Sequence, residues 1–157
     1  MELTAKDIMT KDFDTIREDA PILDAVRKIL SGKVRETGHK TVSLMVTDAF
    51  GSFVGMISMM DILYHVRPPF FDYTVDWEGV TEAEVPFYVD RFRGLVVGQV
   101  MSTLVPTASP NDMVLKLIDV MVKEKVRNLP VIQDSKVIGI VYLSEVFITL
   151  CKKWLLA

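Results

Sequence analysis

The chain has little of what most enzymes and secreted proteins are built on. It holds one cysteine, Cys151, and two histidines in 157 residues. A single cysteine makes no internal disulfide, so the fold has no disulfide framework, and this usage suits a reducing cytoplasm, which is the expected location. His39 and His65 stand in no metal-ligand pattern and read as surface residues. The eight glycines are scattered, with neither a P-loop nor a GxGxxG pattern to cradle phosphates. No nucleophile with its base and no tuned carboxylate pair stands out, so no catalysis, catalytic cofactor or metal is expected. The longest apolar run, Val137 to Leu143, falls far short of the roughly 20 residues that span a bilayer. Met1 to Thr10 alternates polar and apolar residues and lacks the continuous apolar stretch of an export signal. Positive charge is not in excess either: 18 Lys and Arg face 21 Asp and Glu, a net charge of −3. That balance argues against a nucleic-acid partner held by its phosphates, and no recognition element or basic arm is visible.

What is present is material for a core, since half of the residues are apolar and a quarter charged, as in one compact unit or two small ones. The dominant feature is an internal repeat. Lys6-Asp7-Ile8-Met9-Thr10 returns as Gly98-Gln99-Val100-Met101-Ser102, and Thr15 returns as Thr107, at an offset of 92. Ile22, Leu23, Ala25, Val26 and Ile29 fall on Val114, Leu115, Leu117, Ile118 and Met121, one face of an amphipathic helix in each copy. Val54-Gly55-Met56-Ile57 then matches Ile138-Gly139-Ile140-Val141 at an offset of 84, so the first copy carries eight extra residues. They sit around Gly32 to Lys40, a polar stretch best placed in a surface loop.

Each copy reads as strand, helix, two strands and helix. The first places them near Thr15, Ile22 to Leu30, Val42 to Thr47, Phe53 to Ile57 and Met59 to Val66. The second places them near Thr107, Met113 to Glu124, Leu129 to Gln133, Val137 to Val141 and Leu143 to Leu156. Asp48 to Ser52 and Asp134 to Lys136 are short polar breaks of the hairpin kind. Ser109, Asn111 and Asp112 offer caps for the helix that follows, and Ser144 offers one for the last helix. The division is 1–66 for the first repeat, 67–94 for an insert and 95–157 for the second repeat. The insert holds seven of the fourteen aromatic residues: Phe70, Phe71, Tyr73, Trp77, Phe87, Tyr88 and Phe92. A flexible linker is not composed this way. The rings either pack onto the repeats or form an interaction surface or lid.

Two such copies, each opening on an Ile/Val-Met-Thr/Ser box and closing on apolar-Gly-apolar-apolar, resemble the CBS domain family. Arg127-Asn128-Leu129-Pro130-Val131-Ile132 followed by Val137-Ile138-Gly139-Ile140-Val141 is similar to the family's middle signature, and Gly55 to Leu63 to its closing motif. The resemblance implies an α+β fold of tandem repeats (β-α-β-β-α each) packed about a pseudo-twofold axis, a Bateman module with clefts between its repeats. Many members bind AMP, ADP, ATP or S-adenosylmethionine there. By motif, Ser58 and Asp61 occupy the positions that hold the ribose, with the carboxylate accepting from both hydroxyls. Ser58-x-x-Asp61 is equally a capping box, and both readings stand. The resemblance further places Thr107, Val126, Arg127 and Asn128 opposite that ribose. Thr107 and Val126 would face the base with Ile57 beside it, and Arg127 would hold phosphates unless it is only an exposed arginine at a strand end. Tyr142 and Glu145, at the equivalent positions of the second copy, are bulkier and longer than the pattern, so a second cleft is expected to be degenerate. Cys151, Phe147, Leu150, Trp154 and Leu155 form an apolar stripe that suits packing, including packing in a homodimer. The expected function is a regulatory adenine-nucleotide sensor acting on an effector protein. The alternative is a structural dimerisation or interaction module without a small-molecule ligand.

Overall fold

The computed structural model describes residues 2–32, 34, 43–68, 71, 73 and 75–157. Most of the expected surface loop, with His39, and Phe70 of the insert lie outside the described residues. The elements follow as α1 (Ala5–Ile8), β1 (Thr15–Arg17), α2 (Ile22–Leu30), β2 (Ser43–Thr47), β3 (Phe53–Ser58) and α3 (Met59–Val66). Two 3-10 turns (Trp77–Gly79 and Glu82–Glu84) lead into α4 (Val85–Arg93) and α5 (Val97–Val100). The chain continues through α6 (Val114–Glu124), β4 (Asn128–Gln133), β5 (Lys136–Tyr142) and α7 (Leu143–Leu150), which runs on into a π-helical turn, Cys151–Leu155. This is the mixed α+β content expected.

The long elements form for local reasons. In α2 the buried residues Ile22, Ala25 and Ile29 share one face, with Asp24 in the first turn and Arg27 and Lys28 in the last, matching the helix dipole. In α6 the buried face is Val114, Leu117 and Met121, and the helix ends where Lys125 takes a left-handed conformation with φ of 54°. β4 and β5 form an antiparallel hairpin closed at Gln133 and Lys136, and Asp134 and Ser135 both carry the positive φ that two-residue hairpin turns require. β1 pairs in parallel with β2, and the first sheet runs in the order β1-β2-β3.

The chain forms two compact units, and neither is a continuous repeat. The first unit comprises residues 14–48 and 54–103, and the second comprises 1–13, 49–53 and 104–157. Each unit takes its opening box from the other repeat's stretch of sequence. Val97 and Val100 are therefore buried with Ile16, Ile22, Leu44 and Ile57 in the core of the first unit. Ala5 is buried with Val114, Leu117, Leu129 and Val141 in the core of the second.

This arrangement explains the box and the glycine together. In the first unit Ser102 makes an antiparallel bridge to Met56, through Ser102 N–H to Met56 O at 2.8 Å and Met56 N–H to Ser102 O at 3.0 Å. In the second unit Thr10 bridges Ile140 in the same way, at 2.8 and 2.9 Å. The methionine before each bridge lies over the glycine of the strand. A Cβ on Gly55 would stand 3.1 Å from Met101 Sδ, and one on Gly139 would stand 2.5 Å from Met9 Sδ. The apolar-Gly-apolar-apolar pattern is thus a slot for the box.

Several expectations need correction. Thr107 lies in no strand; its neighbour Ala108 makes a single parallel bridge to Val131, because Pro106 and Pro110 on either side have no N–H for a longer ladder. Asp112 does not cap α6. The cap position is Met113, and Asp112 instead accepts from Ser109 N–H at 2.8 Å, closing the preceding turn. Ser144 does not cap α7, because that helix begins one residue earlier and Tyr142 holds the cap position. Helix α4 and the one-turn helices α1 and α5 are additions. The insert divides: Phe92 is buried in the first unit's core, whereas Tyr73, Trp77 and Phe87 are 79%, 64% and 68% exposed.

Candidate functional site

The strand-to-helix junction after β3 gathers the polar groups of interest. Ser58 ends β3 in an extended conformation, and α3 starts at the next residue. The first four backbone N–H groups of a helix have no carbonyl within it to bind, and Asp61 and Ser58 satisfy two of them reciprocally. Asp61 N–H donates to Ser58 Oγ at 3.4 Å, and Ser58 N–H donates to Asp61 Oδ2 at 2.9 Å. Ser58 Oγ also lies 3.0 Å from Oδ2. The capping box is therefore real. The other carboxylate oxygen accepts from Ser102 Oγ at 2.6 Å, a short charge-assisted bond.

Asp61 and Ser58 are half-buried and Ser102 is exposed, so the cluster reaches the surface of the first unit. One turn on, His65 Nδ1 lies 2.9 Å from the backbone oxygen of Asp61, which ties that ring to the helix. Ile57 differs from the expectation of an apolar flank. Its side chain is fully buried and belongs to the core. Among the described residues no group of three or more His, Cys, Asp or Glu side chains is placed to share a metal ion. Chemically, the junction offers a carboxylate and two hydroxyls, which bind hydroxyl donors but do not form a nucleophile with a base.

The remaining candidate residues lie in the second unit, around the start of β4. Thr107 is exposed and directly precedes the Ala108 bridge to that strand. Val126 N–H closes onto Met121 O at 3.2 Å, and Arg127 O accepts from Leu143 N–H at 2.8 Å. Asn128 opens β4 opposite Tyr142. The Arg127 guanidinium is exposed, and no carboxylate among the described residues pairs with it. In the second copy Tyr142 is buried, and no side-chain hydrogen bond caps α7 where Glu145 stands in the first turn. Ser102 is the functional candidate that sequence reasoning missed. It was visible as part of the repeated box, but its bond to Asp61 joins residues 41 positions apart.

The CBS domain family model matches residues 5–68 and 97–151. The CBS domain of a CBS-domain-containing membrane protein from Sphaerobacter thermophilus is 28% identical, with a TM-score of 0.68 over 93% of this chain and 86% of that one. CBSX2, solved in complex with AMP, is 21% identical with a TM-score of 0.67, covering 95% of this chain and 96% of that one. The CBS domain pair of the protein MJ0100, solved with 5′-methylthioadenosine and S-adenosyl-L-methionine, is 19% identical with a TM-score of 0.66, covering 98% and 99%. No curated protein matches the chain. No described helix is long and apolar enough to cross a membrane.

Proposed function

Because the chain belongs to the CBS domain family, we propose that it is a regulatory module that binds an adenine nucleotide and passes the signal to an effector protein, without catalysing a reaction. The observation that carries this reading is the Asp61 carboxylate, half-exposed at the start of α3 and already surrounded by hydroxyl partners, in the family's Gly-x-x-Ser-x-x-Asp context from Gly55 to Asp61. A ribose diol is a pair of hydroxyl donors, and carboxylates hold ribose in this way in dinucleotide folds. Arg127, exposed and without a carboxylate partner among the described residues, supplies charge for phosphate. Thr107, Val126 and Asn128 complete the proposed contact set. The proposed ligand is AMP, ADP or ATP, with S-adenosylmethionine as the further member of the class. AMP and S-adenosylmethionine accompany two of the similar structures. The exposed apolar side chains Met60 and Leu63 on α3, and Phe147 and Trp154 near the C-terminus, support a homodimer in which a second copy covers them.

The test is thermal denaturation of the full chain with each of the four ligands. A ligand at a hundredfold over its dissociation constant adds about 2.7 kcal/mol. Asp61→Ala removes part of the cap, about 0.5–2 kcal/mol of a typical 5–15 kcal/mol, so the variant stays folded and abolishes the shift. No shift with any ligand, or one that survives Asp61→Ala, overturns the reading.

One observation favours a second reading, an interaction module that works through the insert. Residues 72–90 carry six carboxylates and no Lys or Arg, in a chain whose whole net charge is −3. Beside them opens a cavity of about 410 Å³ lined by Leu63, Val66, Phe71, Trp77 and Tyr88. Phe71 meets Trp77 edge-on at 5.0 Å. The lining is mostly apolar, and Glu82 and Glu84 outnumber Arg67 in it, which fits a basic amphipathic segment of a protein partner. Under this reading nucleotides leave the melting temperature unchanged, and a Leu/Lys amphipathic peptide binds the wild type but not Trp77→Ala.

A further inference from the structure

Capping and ribose binding make competing demands on one carboxylate. An ionised Asp offers about four lone-pair positions. Oδ2 spends two of them on Ser58 N–H at 2.9 Å and Ser58 Oγ at 3.0 Å. Oδ1 spends one on Ser102 Oγ at 2.6 Å. One position remains, and a vicinal diol brings two donors.

We infer that Ser102 is a built-in competitor for the ribose: its hydroxyl sits on Asp61 where one of the two sugar hydroxyls must bind, so a ribonucleotide engages fully only when Ser102 lets go. The inference rests on the nucleotide reading of Asp61 and adds a control to it. The choice of which bond yields follows from the geometry. Releasing Ser58 breaks the reciprocal cap of α3, because the same Oγ accepts from Asp61 N–H. Releasing Ser102 breaks no backbone contact. Its backbone N–H and carbonyl stay bonded to Met56, and rotation about one side-chain torsion turns the hydroxyl away. Ser102 is exposed, so water receives the freed hydroxyl. Thr10 occupies the matching place in the other repeat. No hydrogen bond between Thr10 and Glu145 is found among the described residues, so the competing contact belongs to the Asp61 site.

The sugar itself supplies the discriminating test. A 2′-deoxynucleotide has one hydroxyl in place of the diol and fits the single open position with Ser102 still in place. Isothermal titration of the full chain with AMP and with 2′-deoxy-AMP, on wild type, Ser102→Ala and Asp61→Ala, separates the outcomes. Removing a hydrogen bond to a charged group that the ligand must displace tightens AMP binding about tenfold in Ser102→Ala, with less than about twofold change for 2′-deoxy-AMP. A gain of that size for AMP in Ser102→Ala, with wild-type binding detectable and lost in Asp61→Ala, supports the inference. AMP binding that is lost in Asp61→Ala but unchanged or weakened in Ser102→Ala overturns the competitor role and leaves the nucleotide site standing. An equal gain for both sugars also overturns it, since the diol is then irrelevant. No AMP binding to wild type or to Ser102→Ala, with both folded by thermal melt, overturns the inference and the nucleotide reading together.

Discussion

Gly55→Ala places one methyl group where the opening box crosses β3. A Cβ there stands 2.5 Å from the Ser102 carbonyl oxygen and 3.1 Å from Met101 Sδ. The sulfur can swing away, but the carbonyl is backbone. To reach about 3.4 Å, the near end of ordinary contact, it must retreat by about 0.9 Å (3.4 less 2.5). That same carbonyl accepts from Met56 N–H at 3.0 Å, and Ser102 N–H donates back at 2.8 Å. A displacement of this size carries both bonds past the roughly 3.2 Å limit of good geometry, at about 1 kcal/mol each. Alternatively the strand absorbs the clash as overpacking, at about 1–3 kcal/mol. The reduced entropy of the unfolded chain returns only about 0.4–1 kcal/mol. The net destabilisation is about 1–2 kcal/mol, read as a fall of about 0.5–1 M in the urea midpoint at unchanged slope. Gly139→Ala provides the contrast, because the nearest atoms to its Cβ belong to the Met9 side chain, at 2.5 Å for Sδ, 2.8 Å for Cγ and 3.1 Å for Cβ. Rotamer change moves Sδ and Cγ away and leaves only the closer approach of Met9 Cβ, so after the same entropic return a smaller effect, below about 1 kcal/mol, is expected, and Met9→Ala partly rescues Gly139→Ala while Met101→Ala does not rescue Gly55→Ala. A Gly55→Ala midpoint at or above wild type, or a Gly139→Ala effect as large as that of Gly55→Ala, refutes the slot.

Two other outcomes follow from the structure. Asp7 Oδ2 accepts from Thr4 N–H at 2.8 Å and from Thr4 Oγ at 3.0 Å; the backbone bond first, then the hydroxyl, holds the Asp7 carboxyl below its ordinary range. A carboxylate lowered by folding stabilises above its unfolded pKa, and that contribution disappears as pH falls through the folded value. Urea midpoints measured from neutral pH downward therefore fall more steeply in wild type than in Asp7→Asn, and parallel curves would show that Thr4 does not act on the carboxyl. In the insert, Phe92→Ala removes a buried ring and costs about 3–5 kcal/mol, whereas Phe87→Ala, on an exposed ring, stays within about 0.5 kcal/mol. Equal midpoints for the two variants would mean that α4 does not dock through Phe92.

Much of the architecture was legible because it is local. The faces of α2 and α6 repeat at helical spacing, and the β4-β5 hairpin announces itself by two polar residues between apolar runs. Capping by Ser58 and Asp61 was readable because its partners are three residues apart. The errors arose at boundaries. Asp112 and Ser144 are competent capping residues, but a cap works only where the chain enters the helix, and packing of Val114 and Val146 set that point differently.

The sequence by itself determined the repeat, the mixed fold, the CBS resemblance and the local cap, since each is read from the order and spacing of residues along the chain without knowing which of them meet in space. Only the tertiary structure decided that Gly55 and Gly139 receive Met101 and Met9, that Ile57 is wholly interior, and that Ser102 reaches Asp61. Those facts depend on side chains and backbone brought together across 40 or more positions, where periodicity carries no information and only the packing of each core fixes who meets whom.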